Sequence, residues 1–563
     1  MGSAYFDATA KQASGKPGSS APKVAGLHTA AAIQTIATLL WIPQAALLST
    51  AVGRIAQGGG VPDVLWPAIF IALLGTGKSC LDAAGGRMAF HAARAELTGR
   101  RSMAIAALAQ RSPLDSTRAA SGEAASVIGE QAELIVPYLS RFQPARFKAT
   151  SVPLVILGCV FPISWVAALI LLVAMPLIPI FMALIGWRAQ EASEKQLAAT
   201  GGLNGFLLDR LRGLATIRSL DAVDRTADKL RADAESLKSR TMAVLKIAFL
   251  SSAVLELFAA LGVAMVAVFV GFSLLGEIRF GSWTSGLDLA SGLFVLLLAP
   301  AFFEPLRELS SVWHDRASGE AAIKALDALS ADGMTLALAE STTPRLSDGD
   351  IHLENVSFRY GEGASLAIEA FDLHIRAGEH VALLGASGSG KSTLLALIAG
   401  LATSESGEIR IGGQPAGSAA QGRIAWIGQK PHIFAGTITH NVALGRPGVS
   451  PQQAAEALDV AKLGSLASTY ACRPLGDGGT GLSGGEALRL AIARAAASSD
   501  ACIVLADEPT AHLDAATADD ITDSLLALAR HRTLVVATHD PRLAARMDRT
   551  IEIGAEAARE AAE

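Results

Sequence analysis

The run Gly385-Ala386-Ser387-Gly388-Ser389-Gly390-Lys391-Ser392 follows the apolar segment Val381-Ala-Leu-Leu384 and opens the helical pattern Thr393-Leu-Leu-Ala-Leu-Ile398. A strand, a glycine-rich loop and a helix in that order make a phosphate-binding loop. Glycines at 385, 388 and 390 let the backbone curl so that N–H groups converge on an anion, and the helix adds its positive dipole end. Ser387, Ser389 and Thr393 place hydroxyls around the same cradle. In this reading Lys391 reaches the β and γ phosphates of a nucleotide, and the Ser392 hydroxyl holds Mg²⁺.

Outward from this loop, the 563 residues divide into two unlike halves. Half of all residues are apolar, and nearly all of the excess lies before residue 310, whereas the sequence from Ile351 onward patterns as a soluble α/β domain. Hydropathy gives six membrane-crossing helices near Ala30 to Ile55, Pro62 to Ala83, Val136 to Leu157, Ile163 to Trp187, Ile247 to Leu275 and Thr284 to Phe303. The expected architecture is therefore a membrane α-helical bundle followed by an α/β P-loop NTPase domain. Its divisions are an unstructured tail over 1–25, a membrane domain with cytoplasmic loops over 26–325, a linker over 326–350 and a nucleotide-binding domain over 351–563. The tail is rich in Gly, Ser, Ala and Lys and lacks the regions of a signal peptide.

Positive charge orients the bundle. The two long polar segments between spans carry Arg94, Arg100, Arg101, Arg111 and Arg118, and then Arg188, Lys195, Arg210, Arg212, Arg218 and Arg225, while the short connections hold little beyond Arg54 and Arg279. Arginine and lysine excess marks the cytoplasmic side, which places both long segments, both termini and the phosphate loop there. The net charge of -5 gives no argument for nucleic acid. Four cysteines, at 80, 159, 472 and 502, show neither pairing nor metal-ligand spacing and read as buried small residues.

Ionisable residues at membrane depth are costly and point to a pathway for cargo. Lys78, Arg87, Arg141, Arg146 and Glu256 are the candidates, with Asp82 four residues beyond Lys78 as a local partner and helix-to-helix bonding as the competing role for each. The segment Gly75-Thr-Gly-Lys-Ser79 imitates the end of a phosphate loop, but it lies in apolar helix and lacks the first glycine.

Downstream, Cys502-Ile-Val-Leu-Ala-Asp507-Glu508 is an apolar strand ending in two carboxylates. Asp507 suits the orientation of Mg²⁺ or its waters, and Glu508 the polarisation of the attacking water. Thr533-Leu-Val-Val-Ala-Thr538 delivers His539 to another strand end. Leu482-Ser483-Gly484-Gly485-Glu486 with Arg489 and Ala493-Arg494-Ala495 resembles the signature sequence of ATP-binding cassette proteins, and Asp507-Glu-Pro-Thr510 with Leu513-Asp514 resembles their Walker B and D-loop segments. The resemblance also implies that Tyr360 stacks on adenine, that Gln429 in Trp426-Ile-Gly-Gln429 is the Q-loop residue contacting Mg²⁺ and the water, and that His539 steadies the γ phosphate. Six crossings followed by one cassette resemble a half-transporter of the exporter type.

That resemblance implies two facing cassettes, each ATP lying between one subunit's phosphate loop and the partner's signature. Ser483, Gly484, Gly485 and Glu486 are thus expected to act on the partner-bound ATP. It further implies coupling helices near Ser112 to Glu130 and Phe206 to Leu220. Glu486 and Leu488 depart from the glutamines usual in the signature region, and Gly476-Asp-Gly-Gly479 is a loose form of the segment preceding it.

Pro176-Leu-Ile-Pro-Ile-Phe-Met-Ala-Leu-Ile-Gly186, Phe206-Leu-Leu-Asp-Arg-Leu-Arg-Gly213, Arg240-Thr-Met-Ala-Val-Leu-Lys-Ile-Ala-Phe-Leu-Ser-Ser252 and Ala299-Pro-Ala-Phe-Phe-Glu-Pro-Leu-Arg307 resemble the CydD subunits of CydDC exporters. That family implies a bacterial inner-membrane heterodimer with a CydC-like partner, exporting glutathione and cysteine in support of cytochrome bd assembly. Haem is the alternative cargo, for which His91 is a possible ligand and a polar helix residue its plainer reading. A homodimeric lipid or drug flippase, and a regulatory subunit with little turnover, also stay open at this point.

Overall fold

The computed structural model describes residues 26–176, 210, 214–283, 286–331, 333–337, 349–361, 363–419, 423–446, 448–464, 474–476 and 482–554. The expected tail over 1–25, the second part of the fourth span from residue 177, Pro176 to Gly186 beyond its first residue, Phe206 to Gly213 apart from Arg210, Cys472 and most of Gly476 to Gly479 lie outside the described residues. Two compact units make up the chain, Met1–Ala104 with Ser121–Ala328, and Ile105–Ala120 with Leu329–Glu563.

In the first unit, α1 (Leu27–Leu39) and α2 (Trp41–Ala56) together cover the expected first span. The second span runs on far past its apolar part as α3 (Val61–Gln110), a helix of 50 residues and so about 75 Å long. Polar helical sequence follows the apolar segment, and Gly85, Gly86 and Gly99 are all carried inside the helix, so the hydrogen-bonded ladder continues past the apolar part. The same happens in reverse in α7 (Val223–Leu274), which begins in charged sequence 24 residues before the apolar run predicted from residue 247. Between them stand α4 (Ser121–Gly129), α5 (Gln143–Val160) and α6 (Trp165–Pro176). Tyr138–Phe142, just before α5, form a π-turn, and α8 (Leu289–Ser311) and α9 (Trp313–Leu329) close the unit.

Among the described residues, Leu27–Ala56, Val61–Gln110, Glu256–Leu274 and Leu289–Leu329 are long and apolar enough to cross a membrane, and Trp165–Pro176 is a shorter apolar helix. The core of this unit joins Ala149, Val152 and Ile156 of α5, Leu171 of α6, Ala259, Val266 and Phe269 of α7, and Val295, Leu298, Phe302 and Phe303 of α8. Gly262 lets α7 approach α8, since a Cβ there would lie 2.5 Å from the Phe303 ring. By contrast, the apolar window of α3 is not buried within the unit, and Leu65, Trp66, Ile69, Phe70 and Leu73 are exposed along it. Cys80 shares that helix and is exposed, which corrects the reading of all four cysteines as buried; Cys159 and Cys502 are half-buried. The imitation phosphate loop at Gly75 to Ser79 is plain helix inside α3.

In the second unit, β1 (Ile351–Phe358), β2 (Ile368–Ile375), β4 (Ser406–Ile411) and β5 (Gln414–Pro415) form an antiparallel sheet in the order β2-β1-β4-β5. A parallel sheet in the order β6-β7-β8-β3-β9 is made by β3 (His380–Leu384), β6 (Ile424–Ile427), β7 (Ile503–Asp507), β8 (Thr533–Thr538) and β9 (Arg549–Glu552). The inner strands are continuous apolar runs because both of their faces are covered. Ile503–Ala506 and Leu534–Ala537 are wholly buried, each strand shared between two clusters on opposite faces of the sheet.

One polar knot ties α11 (Gly484–Ala496) to the loop at His432 and the short helix Ile438–Ala443. Arg494 donates to the Asn441 carbonyl, the Asn441 side-chain oxygen and the His432 carbonyl, and Asn441 spans back to Phe434 with its own amide. Burial, with Arg446 alongside, pulls the Arg494 guanidinium below its ordinary value. Arg494→Leu is expected to destabilise the cassette by about 2–4 kcal/mol, because several buried acceptors lose their donor at once. The thermal unfolding of the purified full chain, compared with that of Arg446→Leu, measures it.

Candidate functional site

Four chain segments leave the C-terminal ends of parallel strands and converge. The loop after β3 carries Gly385 to Gly390, and α10 (Lys391–Ile398) begins directly on it. Gly390 caps that helix at φ 92°, and Gly388 stands at φ 86°, a region that side chains with a Cβ avoid. A Cβ on Gly385 would lie 2.6 Å from the Ile553 carbonyl, so the loop passes against the end of β9 with no room for one. Lys391 is buried, its amine donating to the Gly385 and Ala386 carbonyls at 2.9 and 2.8 Å. The Ser389 hydroxyl is buried with no hydrogen-bond partner among the described residues, an orphan that an anion in the loop would satisfy. Ser387 lies on the exposed rim of the loop.

Beyond β7, Asp507 accepts a hydrogen bond from the Ser392 hydroxyl at 2.8 Å. Burial pushes the Asp507 carboxyl up; the Ser392 hydrogen bond opposes that rise in part, and the adjoining Glu508 charge adds to it. Such a site gains from a nearby cation, and its hydroxyl and carboxylate oxygens are the hard donors that magnesium takes. The next residue, Glu508, is held at φ 45°, an unusual conformation for a residue with a side chain, by its N–H bond to the Ala537 carbonyl of β8. That bend aims the carboxylate across the strand ends. Its Oε2 receives the Gln429 amide at 3.4 Å and lies 3.2 Å from His539 Nδ1, while Oε1 is 4.0 Å from Lys391 Nζ. Thus Lys391, Ser392, Gln429, Asp507, Glu508 and His539 form one constellation. Tyr360, half out of the surface, stacks edge-on with Phe358 and bonds the Thr393 hydroxyl at the start of α10.

The signature segment makes a second, separate feature. Ser483 is the N-cap of α11 and forms a capping box with Glu486, its hydroxyl accepting from the Glu486 N–H and its own N–H donating to the Glu486 carboxylate. The N-terminus of α11 is therefore organised by the glutamate that departs from the usual glutamine. Gly485 faces Thr517, where a Cβ would meet the side chain at 2.9 Å, whereas Gly484 is open.

Family models match both parts of the chain, the ABC transporter model over residues 368–511 and the ABC transporter transmembrane region over 34–297. A protein of Haemophilus influenzae, the glutathione/L-cysteine transport system ATP-binding/permease protein CydD, is 34% identical over 90% of this chain and 87% of its own length. The chain belongs to the CydD-type ABC exporters. It is also similar to a CydC protein of that transport system in Bacillus subtilis, 30% identical over 90% of this chain and 88% of the other. The solved structure of a bacterial Atm1-family ABC exporter with ATP bound shares the fold at a TM-score of 0.72, covering 94% of this chain and 93% of that one at 22% identity. The protein is accordingly an ATP-binding, ATP-hydrolysing transporter with a multi-pass membrane domain.

In the membrane unit of this CydD-type chain, the candidate charges do not gather at one point. Lys78 sits over the Trp41 ring at 5.8 Å rather than bonding Asp82. Glu256 receives Arg307 at 2.7 Å, and Arg141 lies 3.5 Å from the buried Asp315. Arg87 and Arg146 are exposed, as is His91. A further pair, outside the candidate charges, joins the buried Lys148 of α5 to the half-exposed Glu308 of α8. Lys148 lies seven residues beyond Arg141, on the same helix face, and that spacing was a usable signal. Arg307 and Glu308 lie beyond the sixth span predicted from hydropathy, Thr284 to Phe303, whereas α8 runs to Ser311.

Proposed function

We propose that this chain is one half of a heterodimer with a CydC-like ABC subunit in the bacterial inner membrane, exporting glutathione and cysteine in support of cytochrome bd assembly. Similarity, at 34% identity, to a CydD glutathione/L-cysteine transport protein along 87% of that protein carries the reading. The similarity to a CydC protein supports a partner of that kind. Positive charge on both long polar segments supports cytoplasmic termini and a cytoplasmic cassette.

In the proposed mechanism the phosphates enter the loop at Gly385 to Gly390, displacing the Lys391 amine from the two loop carbonyls to the β and γ phosphates. The Ser389 hydroxyl gains its missing partner, and Tyr360 gives adenine a ring to stack on. Ser392, Asp507 and Gln429 would hold Mg²⁺, which when bound neutralises the phosphate charge and orients the γ phosphate for displacement. Glu508 polarises the attacking water, with Gln429 and His539 fixing its orientation. Ser483, Gly484, Gly485 and Glu486 close on the ATP held by the partner, so two chains are needed for a complete pair of sites. ATP binds the closed pair better than the open one, and that difference moves the membrane helices. Lys78, Arg87, Arg141, Arg146 and Glu256 are the charges proposed to face cargo.

The test is the ATPase rate of the chain alone and with a CydC-like partner in lipid, titrated separately with reduced glutathione, cysteine and haem. Activity that needs the partner and rises with thiol is the expected result. Stimulation by haem alone would move the cargo assignment to haem. Full activity without a partner, raised by lipids or drugs and indifferent to all three ligands, would replace the heterodimer with a homodimeric flippase.

A further inference from the structure

Residues 105–120, the last six residues of α3 and the segment that follows it, are part of the cassette unit, and the contacts that hold them there are specific. The last residue of α3, Gln110, accepts from the Leu336 N–H at 2.8 Å, and the Ser112 N–H donates to the Met334 carbonyl at 2.8 Å, which makes Arg111 and Thr335 an antiparallel bridge. One residue further along, the Ala337 N–H donates to the Gly400 carbonyl at 3.1 Å. Gly400 follows α10, the helix that starts on the phosphate loop. Three consecutive links of main chain thus run from the end of the phosphate-loop helix, through Ala337 and Leu336, to the last turn of a helix that crosses the membrane.

A buried ion pair locks this joint. Arg111 and Asp115 are 8% and 9% exposed, and their Nε to Oδ2 distance is 2.8 Å. Asp115 divides its oxygens between two tasks. Oδ1 accepts from the Thr117 N–H and hydroxyl, which shapes the turn, whereas Oδ2 accepts from Arg111 and from the Met334 N–H of the opposing strand. The remaining Arg111 arm bonds the Thr117 hydroxyl. Burial works against the Asp115 charge, but the hydrogen bonds from Thr117 and Arg111 outweigh it and hold the carboxyl at about 2. Gly333 is required where it stands, because a Cβ there would lie 2.5 Å from both Arg111 Nη2 and Asp115 Oδ2. Leu114 and Met334 then pack on the apolar cluster containing Ile351, Val381 and Leu394.

We propose that Arg111 and Asp115 are positioning residues for coupling: they clamp the first cytoplasmic segment to the linker strand Gly333 to Ala337, so that movement of the phosphate-loop helix is delivered to α3. Docking of cytoplasmic segments on cassettes is general to exporters; the clamp between this segment and the chain's own linker is the new element. It depends on the exporter assignment and not on the identity of the cargo. Buried, fully hydrogen-bonded ion pairs contribute little net stability and much geometric definition, which suits a joint that has to transmit movement without yielding.

Asp115→Asn is the sharpest variant, since the amide keeps an oxygen for Thr117 and loses the acceptor shared by Arg111 and Met334. Gly333→Ala breaks the same clamp from the other strand without touching its charges. Spin labels at Val61 and Leu275, both on helix ends and strongly exposed, report the membrane domain in a cysteine-free full chain assembled with its partner in nanodiscs. The unmodified protein is expected to shift its label distance on adding ATP with vanadate. In both variants hydrolysis stays within about twofold of that protein, while the shifted population falls by about tenfold. A shift retained in either variant, or one that falls only in proportion to hydrolysis, would overturn the proposal and leave the clamp a purely structural contact.

Discussion

Replacing Glu508 by glutamine is expected to lower ATP hydrolysis by about 10²–10⁴-fold while leaving ATP binding intact. The substitution keeps the side-chain volume, the left-handed backbone at residue 508 and the N–H bond to the Ala537 carbonyl that together aim this side chain. What it removes is the acceptor charge at the point where Gln429 and His539 meet. Water in the bound state then lacks a base, but the phosphate cradle at Gly385 to Ser392 is untouched, so the variant accumulates in the closed, ATP-loaded form. Steady-state hydrolysis on the assembled pair measures the loss. Vanadate trapping of photoreactive ATP separates turnover on this chain from turnover at the partner's site. Trapping on this chain at an undiminished rate would show that water is activated by another group.

Lys391→Met is expected to act one step earlier, weakening ATP binding by about 100-fold, equivalent to about 2.7 kcal/mol. The amine is buried and donates to the Gly385 and Ala386 carbonyls, so the lysine is already held over the loop and needs only to change acceptors when phosphate enters. Methionine has a similar length and no donor, and the phosphate charge then rests on backbone N–H groups alone. Equilibrium binding of a fluorescent nucleotide to the full chain reads the effect, with Lys391→Arg as a control that keeps charge but not shape. Unchanged affinity in the methionine variant would mean that the lysine serves the loop's structure rather than the nucleotide. The contrast between the two variants is diagnostic, because one keeps ATP and cannot use it whereas the other cannot hold it.

The cassette was legible in the sequence because its chemistry sits at strand ends. Each apolar run, Val381 to Leu384, Cys502 to Ala506 and Thr533 to Thr538, announces a buried parallel strand, and the polar residue that follows must emerge at one edge of the sheet. That rule brings Asp507, Glu508 and His539 to the loop of Lys391 without knowledge of the strand order. Helix lengths were less legible, since hydropathy detects where a helix leaves hydrocarbon and not where it ends. Hence α3 and α7 were read as spans of ordinary length although each runs on as helix through polar sequence. Charge at membrane depth was the weakest signal. A single sequence shows that Glu256 is out of place but not that Arg307 answers it from another helix, nor that Lys148 meets Glu308. The clamp was invisible for the same reason. Arg111 counted only as positive charge on a cytoplasmic loop, and its partner strand lies more than 200 residues away.

The most direct test of the account is ATP-driven uptake of radiolabelled reduced glutathione into inside-out membrane vesicles containing this chain and a CydC-like partner. Accumulation that requires ATP and both chains, is lost with Glu508→Gln, and is competed by cysteine is the result the account predicts. Vesicles that hydrolyse ATP at full rate yet accumulate neither glutathione nor cysteine would contradict it.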